Sequence, residues 1–223
     1  MPCSLAWASS CCANSSWFTS SAMGSSVSVT VDPSRQARCS ACQANPDPPL
    51  FRQSRVRLLG EAVGRAANKL GRRVLFVGSG GLSHDPPIPQ FTTSPEQVRE
   101  RLIDGRNPSD AEREVRERRV IAAGRDFAAG TATIQPLNPH WDQHLLEILA
   151  SGELEQIDTW TNDWFVEQAG HSSHEVRTWI AAYAALHANG PYQVTSSFYR
   201  AIPEWIAGFA ITTALTLSSN HTK

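Results

Sequence analysis

Histidine is absent from the first 83 residues of this 223-residue chain, and cysteine is absent after residue 42. Residues 1–50 also lack glutamate and lysine, although they hold twelve serines and all five cysteines. This composition differs sharply from that of the rest of the chain. We therefore predict an irregular leader over residues 1–50, one domain over 51–217 and a frayed tail over 218–223.

Other absences exclude classes of partner. The formal net charge of −1 gives no electrostatic attraction to nucleic acid or to an anionic membrane. No apolar run approaches the roughly 20 residues that span a bilayer. The lack of cysteine after residue 42 is typical of a protein that does without disulfides. We expect a cytoplasmic protein that binds neither nucleic acid nor a membrane.

The leader leaves several interpretations open. Serine and cysteine interrupt every apolar run, which argues against a secretion signal. Cys39 and Cys42 have the spacing of half a zinc or redox site, but no second pair or nearby histidine completes it. Only residues 27–31 alternate like a strand. A disordered segment or translation from another reading frame would each explain the change of composition near Leu50.

After the leader, the pattern becomes regular. Helical spacing of Val56, Leu59 and Val63 predicts a helix over 54–70 that ends at Gly71. Capping signals predict helices that begin near Glu96 and at Ser109. We expect further helices over about 139–152, 154–160, 162–169 and 170–187, a short strand over 131–135, an extended segment over 198–205, and a buried helix or strand over 206–217.

A short apolar run, 74–77, leads into a glycine-rich turn that ends at His84. Such a run predicts a buried strand, and strands of α/β proteins present functional groups at their carboxyl ends. Histidine also exchanges protons readily near neutral pH. His84 is therefore the first candidate catalytic residue; the alternative is a histidine that braces the loop. The turn lacks the lysine of a phosphate-binding loop and the flanking glycines of a hydrolase elbow.

Glu175 is the second candidate. Its spacing from Ser172 is that of a capping box, which would make the carboxylate a structural cap. His171 and His174 are close enough in sequence to form a metal cluster with Glu175. Both interpretations stay open at this point.

A further histidine pair, His140 and His144, has the spacing of two ligands on one helix face. The glutamate of the zinc-protease motif is missing between them. The pattern favours a surface helix start, with Asp142 near the positive end of the helix dipole.

Five sequence words carry a resemblance to a known family. Over about residues 51–215, the chain resembles the class III extradiol ring-cleavage dioxygenases, the protocatechuate 4,5-dioxygenase beta-subunit-like superfamily. The words are LGEAVGR at 59–65, RVLFVGSGGLSH at 73–84, PLNPHWD at 136–142, HEVRTW at 174–179 and IPEWIAGF at 202–209. The resemblance implies an α/β fold, the C-terminal portion of a single-domain dioxygenase with a central sheet flanked by helices.

The resemblance also implies a chemistry. Members of this family hold non-haem Fe(II) with two histidines and one glutamate, and they cleave a catechol such as 2,3-dihydroxyphenylpropionate with O₂. By resemblance, His84 corresponds to an acid/base histidine and Glu175 to the carboxylate ligand of iron. Catechol and O₂ are thus the expected partners, and a homo-oligomer is left open.

One departure from the family pattern limits this expectation. In the family, both iron histidines and a second acid/base histidine come from the N-terminal half, whereas no histidine precedes His84 here. We therefore expect an incomplete iron ligand set, a truncated or frame-shifted gene product and impaired ring cleavage. The alternative is a non-catalytic remnant or accessory subunit that binds an aromatic acid or a partner protein. Iron stoichiometry distinguishes the two.

Overall fold

One mixed β-sheet organises the described part of the chain. The structure is a computed structural model that describes residues 4–6, 27–30, 51–89, 94–104 and 108–217. Within these residues, the strand order is β2-β3-β1-β5-β4, with β1 and β2 parallel to β3, and β5 antiparallel to both β1 and β4. The strands are β1 (Ser4–Ala6), β2 (Val27–Thr30), β3 (Val74–Val77), β4 (Tyr192–Ile202) and β5 (Ala207–Thr216).

Two of these strands come from the first 50 residues. Val27–Thr30 forms β2, which confirms the strand predicted from the alternation at 27–31. Ser4–Ala6 forms β1, which the sequence pattern does not indicate. The remaining residues of 1–50 and the predicted tail over 218–223 lie outside the described residues. The division of the chain near Leu50 therefore stays a prediction.

Helices pack against this sheet, so the predicted α/β class is confirmed. The α-helices are α1 (Gln53–Asn68), α2 (Glu96–Asp104), α3 (Asp110–Ala128), α4 (Pro139–Ser151), α5 (Asn162–Ala169) and α6 (Arg177–His187). Three 3₁₀ helices cover Leu154–Thr159, His171–Val176 and Pro203–Trp205. None of the helices in the described ranges is long and apolar enough to cross a membrane.

Helix α6 is almost entirely buried and lies between α1 and the sheet. Two glycines of α1 permit this close packing: a Cβ added at Gly60 would lie 2.2 Å from the carbonyl oxygen of Ala181, and one at Gly64 would lie 2.1 Å from that of Ala185. The predicted helix is correct. Of the apolar residues whose spacing predicted it, Val56 and Val63 are partly buried against the core, whereas Leu59 is 63% exposed. The backbones approach more closely than large apolar side chains would allow.

The predicted capping box at the start of α3 is confirmed. Ser109 Oγ accepts a hydrogen bond from the backbone N–H of Glu112, whose carboxylate accepts one from the backbone N–H of Ser109 at 2.7 Å. These two bonds satisfy N–H groups that have no partner inside the helix.

The strand predicted over 131–135 is wrong. In this part of the described chain, the segment is irregular, and the side chain of Gln135 donates hydrogen bonds to the carbonyl oxygens of Val166 and Glu167 at 3.1 and 2.8 Å. These carbonyls lie near the end of α5, where helix carbonyls lack partners within the helix. The segment therefore caps the end of α5 through Gln135 and does not join the sheet.

The C-terminal hairpin resolves two remaining expectations. The extended segment predicted over 198–205 is instead a longer strand, β4, followed by the 3₁₀ helix Pro203–Trp205. The apolar stretch over 206–217 forms strand β5 rather than a helix. Its alternate residues Ala210, Thr212 and Ala214 are buried against the helices, as expected for a strand with one face on the core.

Candidate functional site

His84 lies beyond the carboxyl end of β3, as the sequence predicts. After the glycine turn, residues 82–84 run antiparallel to the start of β5: Leu82 N–H donates to the carbonyl oxygen of Gly208 at 3.2 Å, and Gly208 N–H donates to that of Ser83 at 2.8 Å. An isolated bridge joins His84 to Ala207. The histidine is therefore held by backbone pairing rather than by a free loop.

The imidazole of His84 has a defined orientation. Its Nδ1 lies 2.8 Å from the carbonyl oxygen of Leu82. Because a carbonyl oxygen can only accept, Nδ1 carries the hydrogen in the neutral ring, and Nε2 is the nitrogen that can accept a proton. Nε2 lies 3.6 Å from Oε2 of Glu175. The structure thus brings together the two residues that the sequence nominated.

Glu175 lies in the 3₁₀ helix His171–Val176, immediately before α6. Its carboxylate accepts a hydrogen bond from the backbone N–H of Gly81 at 3.0 Å, and its side chain is 53% exposed. Partial burial opposes ionisation, but the adjacent imidazole of His84 and the Gly81 N–H outweigh it and lower the pKa of Glu175. At neutral pH, an ionised carboxylate therefore lies beside the imidazole and remains open to solvent.

The alternative capping role of Glu175 is wrong. No side chain caps the 3₁₀ helix His171–Val176, and its N-cap is Gly170 rather than Ser172. The Ser172-x-x-Glu175 spacing fits a capping box, but the carboxylate instead bonds to Gly81, a residue 94 positions away. A tertiary contact has replaced the local one.

The glycine turn fits tightly against both side chains. A Cβ at Gly80 would lie 2.6 Å from Cβ of Glu175, and one at Gly81 would lie 2.7 Å from Cε1 of His84. Two side chains of helix α6 also bind the turn. Thr178 Oγ1 donates to the carbonyl oxygen of Ser79 at 2.8 Å, and Trp179 Nε1 donates to that of Gly80 at 3.1 Å. Only glycine fits at positions 80 and 81, because a Cβ there would overlap Glu175 or His84.

The sequence interpretation missed Asp142. Predicted near an exposed helix start, it is in fact fully buried on α4. It accepts hydrogen bonds from Ser83 N–H at 2.7 Å, from Ser83 Oγ at 2.8 Å and from Tyr199 Oη at 2.8 Å. Burial raises the pKa of Asp142, and the bonds from Tyr199 and Ser83 offset this only partly. No local spacing signals this contact, because Ser83 and Asp142 are 59 residues apart.

The other histidines do not converge on Glu175. His171 is exposed and lies 3.2 Å from Oδ1 of Asp85. His174 is buried and stacks on Phe165, and burial together with the charges of Arg177 and His171 lowers its pKa to about 3. The ring of His174 is therefore neutral at pH 7, and the predicted cluster of His171, His174 and Glu175 does not form.

His140 and His144 are both exposed on α4, which agrees with the surface helix start favoured by the sequence. Across the described ranges, no three histidine, cysteine, aspartate or glutamate side chains are placed to hold a metal ion. A cleft of about 370 Å³ is lined by residues of α1, of α6 and of the 3₁₀ helix Leu154–Thr159, among them Arg57, Glu155 and His187, and its lining includes neither His84 nor Glu175. The candidate site is therefore the exposed Glu175 carboxylate and the adjacent imidazole.

Comparison with known proteins gives the family of this chain. Residues 47–210 match the family model described as the catalytic LigB subunit of aromatic ring-opening dioxygenase. The chain belongs to this family, as the five sequence words predicted.

Individual relatives are highly similar. The chain is 81% identical to a 2,3-dihydroxyphenylpropionate/2,3-dihydroxicinnamic acid 1,2-dioxygenase of Rhodococcus sp over 167 residues, 75% of this chain and 53% of the relative. Identity to the protein of the same name from Rhodococcus jostii (strain RHA1) is 75%, with the same coverage. That from Cupriavidus pinatubonensis is 55% identical over 163 residues, 73% of this chain and 52% of the relative. The chain thus spans about half the length of the curated relatives it matches.

Proposed function

We propose that this chain forms the side of an extradiol dioxygenase site that carries an acid/base histidine, His84, and a metal-binding carboxylate, Glu175. The proposed reaction is ring opening of a catechol, such as 2,3-dihydroxyphenylpropionate, with O₂ and Fe(II). The observation that carries this proposal is the placement of Glu175 Oε2 at 3.6 Å from His84 Nε2, with the carboxylate side chain 53% exposed and the imidazole buried. The names of the relatives support the substrate class.

An Fe(II) site of this class needs two histidines and one carboxylate on one face of the metal. The described residues offer Glu175 as the carboxylate but no group of three suitable side chains. By themselves they do not fit an iron site, and only one histidine, His221, lies outside them, so the two histidine ligands that the proposal needs cannot both come from the undescribed residues of this chain. We accordingly expect lower turnover than that of the longer Rhodococcus relative. The cytoplasmic location stays a prediction.

His84 is suited to move the proton of a catechol hydroxyl. The Nδ1 hydrogen is held by the carbonyl oxygen of Leu82, so Nε2 is left to accept a proton. His84 can later return the proton from the same nitrogen.

Iron content and turnover test the proposal together. The chain is loaded anaerobically with Fe(II), desalted, assayed for iron, and given 2,3-dihydroxyphenylpropionate and O₂ while the yellow ring-fission product is followed. We expect Glu175→Gln to hold less iron per chain than the unmodified chain, because it removes the proposed carboxylate ligand. Glu167→Gln, which makes the same charge change at an exposed position of α5, is expected to hold as much iron as the unmodified chain.

The second variant is His84→Gln. We expect it to keep its iron and to lose turnover by about 10²- to 10⁴-fold, the usual contribution of a general acid or base. If the unmodified chain retains no iron, the enzymatic proposal is overturned in favour of a non-catalytic protein that binds an aromatic acid or a partner protein.

A further inference from the structure

Asp142 is a buried carboxylate whose oxygens accept hydrogen bonds from Ser83, the residue before His84, and from Tyr199. Oδ1 accepts from the backbone N–H of Ser83 at 2.7 Å, and Oδ2 accepts from Ser83 Oγ at 2.8 Å and Tyr199 Oη at 2.8 Å. The residue has no solvent exposure. A buried carboxylate is costly unless such donors compensate it, so the three bonds fix its position.

Ser83 is held on every polar group by this arrangement. Its hydroxyl donates to Asp142 and accepts from the backbone N–H of Asn138 at 3.0 Å, and its carbonyl oxygen accepts from Gly208 N–H at 2.8 Å. A Cβ at Gly208 would lie 2.1 Å from Oδ2 of Asp142, so glycine at this point of β5 is what admits the carboxylate. Ser83 is therefore hydrogen-bonded both to Asp142 of helix α4 and to Gly208 of strand β5.

The constraint passes directly to the histidine. Ser83 lies between Leu82, whose carbonyl oxygen accepts from His84 Nδ1 at 2.8 Å, and His84 itself. Rotation of the peptide units around Ser83 would turn that carbonyl away from the ring. We propose that Asp142 is a positioning residue that, through Ser83, holds the Leu82 carbonyl on Nδ1 and so keeps Nε2 of His84 as the proton-accepting nitrogen. The catalytic meaning of this role rests on the proposed function.

A carboxylate is required for this role. An asparagine at this position would have one acceptor oxygen, and its NH₂ group would face the hydroxyls of Ser83 and Tyr199, which donate to Oδ2 in the structure. Ser83 Oγ already accepts from Asn138, so its hydroxyl hydrogen would lose its acceptor. Asp142→Asn therefore keeps the volume of the side chain and breaks the arrangement of donors.

The ring tautomer of His84 tests the proposal on the metal-free chain. Histidine rings are labelled with ¹⁵N, long-range ¹H–¹⁵N correlations are recorded at one fixed pH, and the His84 signals are assigned with His84→Gln. We expect the Nδ1–H form in the unmodified chain. Asp142→Asn should raise the ratio of Nε2–H to Nδ1–H about fivefold, which corresponds to about 1 kcal/mol, the net value of one hydrogen bond.

A matched pair of tyrosine variants separates positioning from a general loss of stability. Tyr199→Phe removes a hydroxyl that bonds to Asp142, whereas Tyr183→Phe removes a buried hydroxyl that bonds at 2.8 Å to Oγ1 of Thr212 on β5. We expect the first variant to shift the tautomer ratio in the same direction as Asp142→Asn and the second to leave it unchanged. An equal shift in both variants overturns the proposal.

The possible results distinguish a failure of the positioning role from a failure to fold and from a failure of the proposed function. An unchanged tautomer in folded Asp142→Asn overturns the proposal. If that variant does not fold by circular dichroism, Ser83→Ala, which removes the Oγ donor but keeps the backbone N–H, and Tyr199→Phe decide the question by the same ratio. Failure to retain iron counts against the proposed function alone, because the tautomer is read without metal.

Discussion

Glu175 and His84 face each other across the glycine turn, with Oε2 of the first 3.6 Å from Nε2 of the second. The backbone N–H of Gly81 donates to the same Oε2 at 3.0 Å, so the turn also fixes the carboxylate. Because the turn, the 3₁₀ helix and the start of α6 contact one another, small changes at any of them are expected to reach both side chains.

Substitution of the two close-packed glycines should disturb the site sterically. Gly80→Ala places a methyl group 2.6 Å from Cβ of Glu175, and Gly81→Ala places one 2.7 Å from the ring of His84. We expect each to lower the free energy of unfolding by about 1–3 kcal/mol, the usual cost of overpacking. Urea unfolding measures this. Gly71→Asn is the control, because an added Cβ there meets nothing within 4 Å and asparagine tolerates the φ of +59° at this position. An equal loss of stability in the control would contradict the steric explanation.

The packing of α1 on α6 gives a prediction in which two effects oppose each other. Alanine is favoured over glycine in a helix by about 1 kcal/mol. At Gly64, however, the new Cβ would lie 2.1 Å from the backbone oxygen of Ala185, which cannot move alone. We expect Gly64→Ala to destabilise the chain by about 1–3 kcal/mol in urea unfolding. Asn68→Ala, at an exposed position of the same helix, should change stability by less than about 0.5 kcal/mol.

Arg57 should couple strongly to Asp158. Its Nε and Nη2 donate to the two carboxylate oxygens at 3.1 and 2.5 Å, the side chains are only 12% and 23% exposed, and the hydrogen bond to Asp158 raises the pKa of the guanidinium despite burial. A double-mutant cycle with alanine should give a coupling energy of about 1.5–3 kcal/mol.

The exposed pair Arg118–Glu114 provides the comparison for this cycle. Both side chains are 66% exposed and lie four residues apart on α3. Its coupling energy should be about 0.3–0.5 kcal/mol and should fall with added salt. Equal coupling in the two pairs would show that burial does not strengthen the Arg57 interaction.

The buried carboxylate of Asp142 predicts a pH dependence of stability. Its pKa is raised in the folded chain above the ordinary value of 3.8, so the folded state binds the proton more tightly than the unfolded state. This contribution to stability is fully present below the unfolded pKa and is lost as pH rises through the folded pKa. The difference in unfolding free energy, unmodified chain minus Asp142→Asn, should therefore fall over that window and then level off. A difference that is constant or rises with pH would contradict the assignment.

Much of the local structure follows from the sequence. The strand Val74–Val77, the capping box at Ser109 and the positions of most helices after residue 51 agree with expectation, because spacing and capping residues act within a few positions of each other. The position of His84 after β3 could also be predicted. The buried face of α1 could not, since it depends on how closely α6 approaches.

The candidate site divides in the same way. Family resemblance in the sequence words selected His84 and Glu175, while the capping pattern at Ser172 pointed to a local role that the structure contradicts. Asp142 was assigned to an exposed helix start on its local surroundings, and burial between α4 and β5 reversed that assignment.

The sequence alone determined the α/β class, the family and the strand that leads to His84, because these depend on patterns and words within short stretches of chain. Only the tertiary structure decided that Glu175 lies against Gly81 and His84, and that Asp142 holds Ser83. These contacts join residues 59 to 94 positions apart, and no local preference encodes them. They follow from the packing of α4, α6 and β5 around the glycine turn.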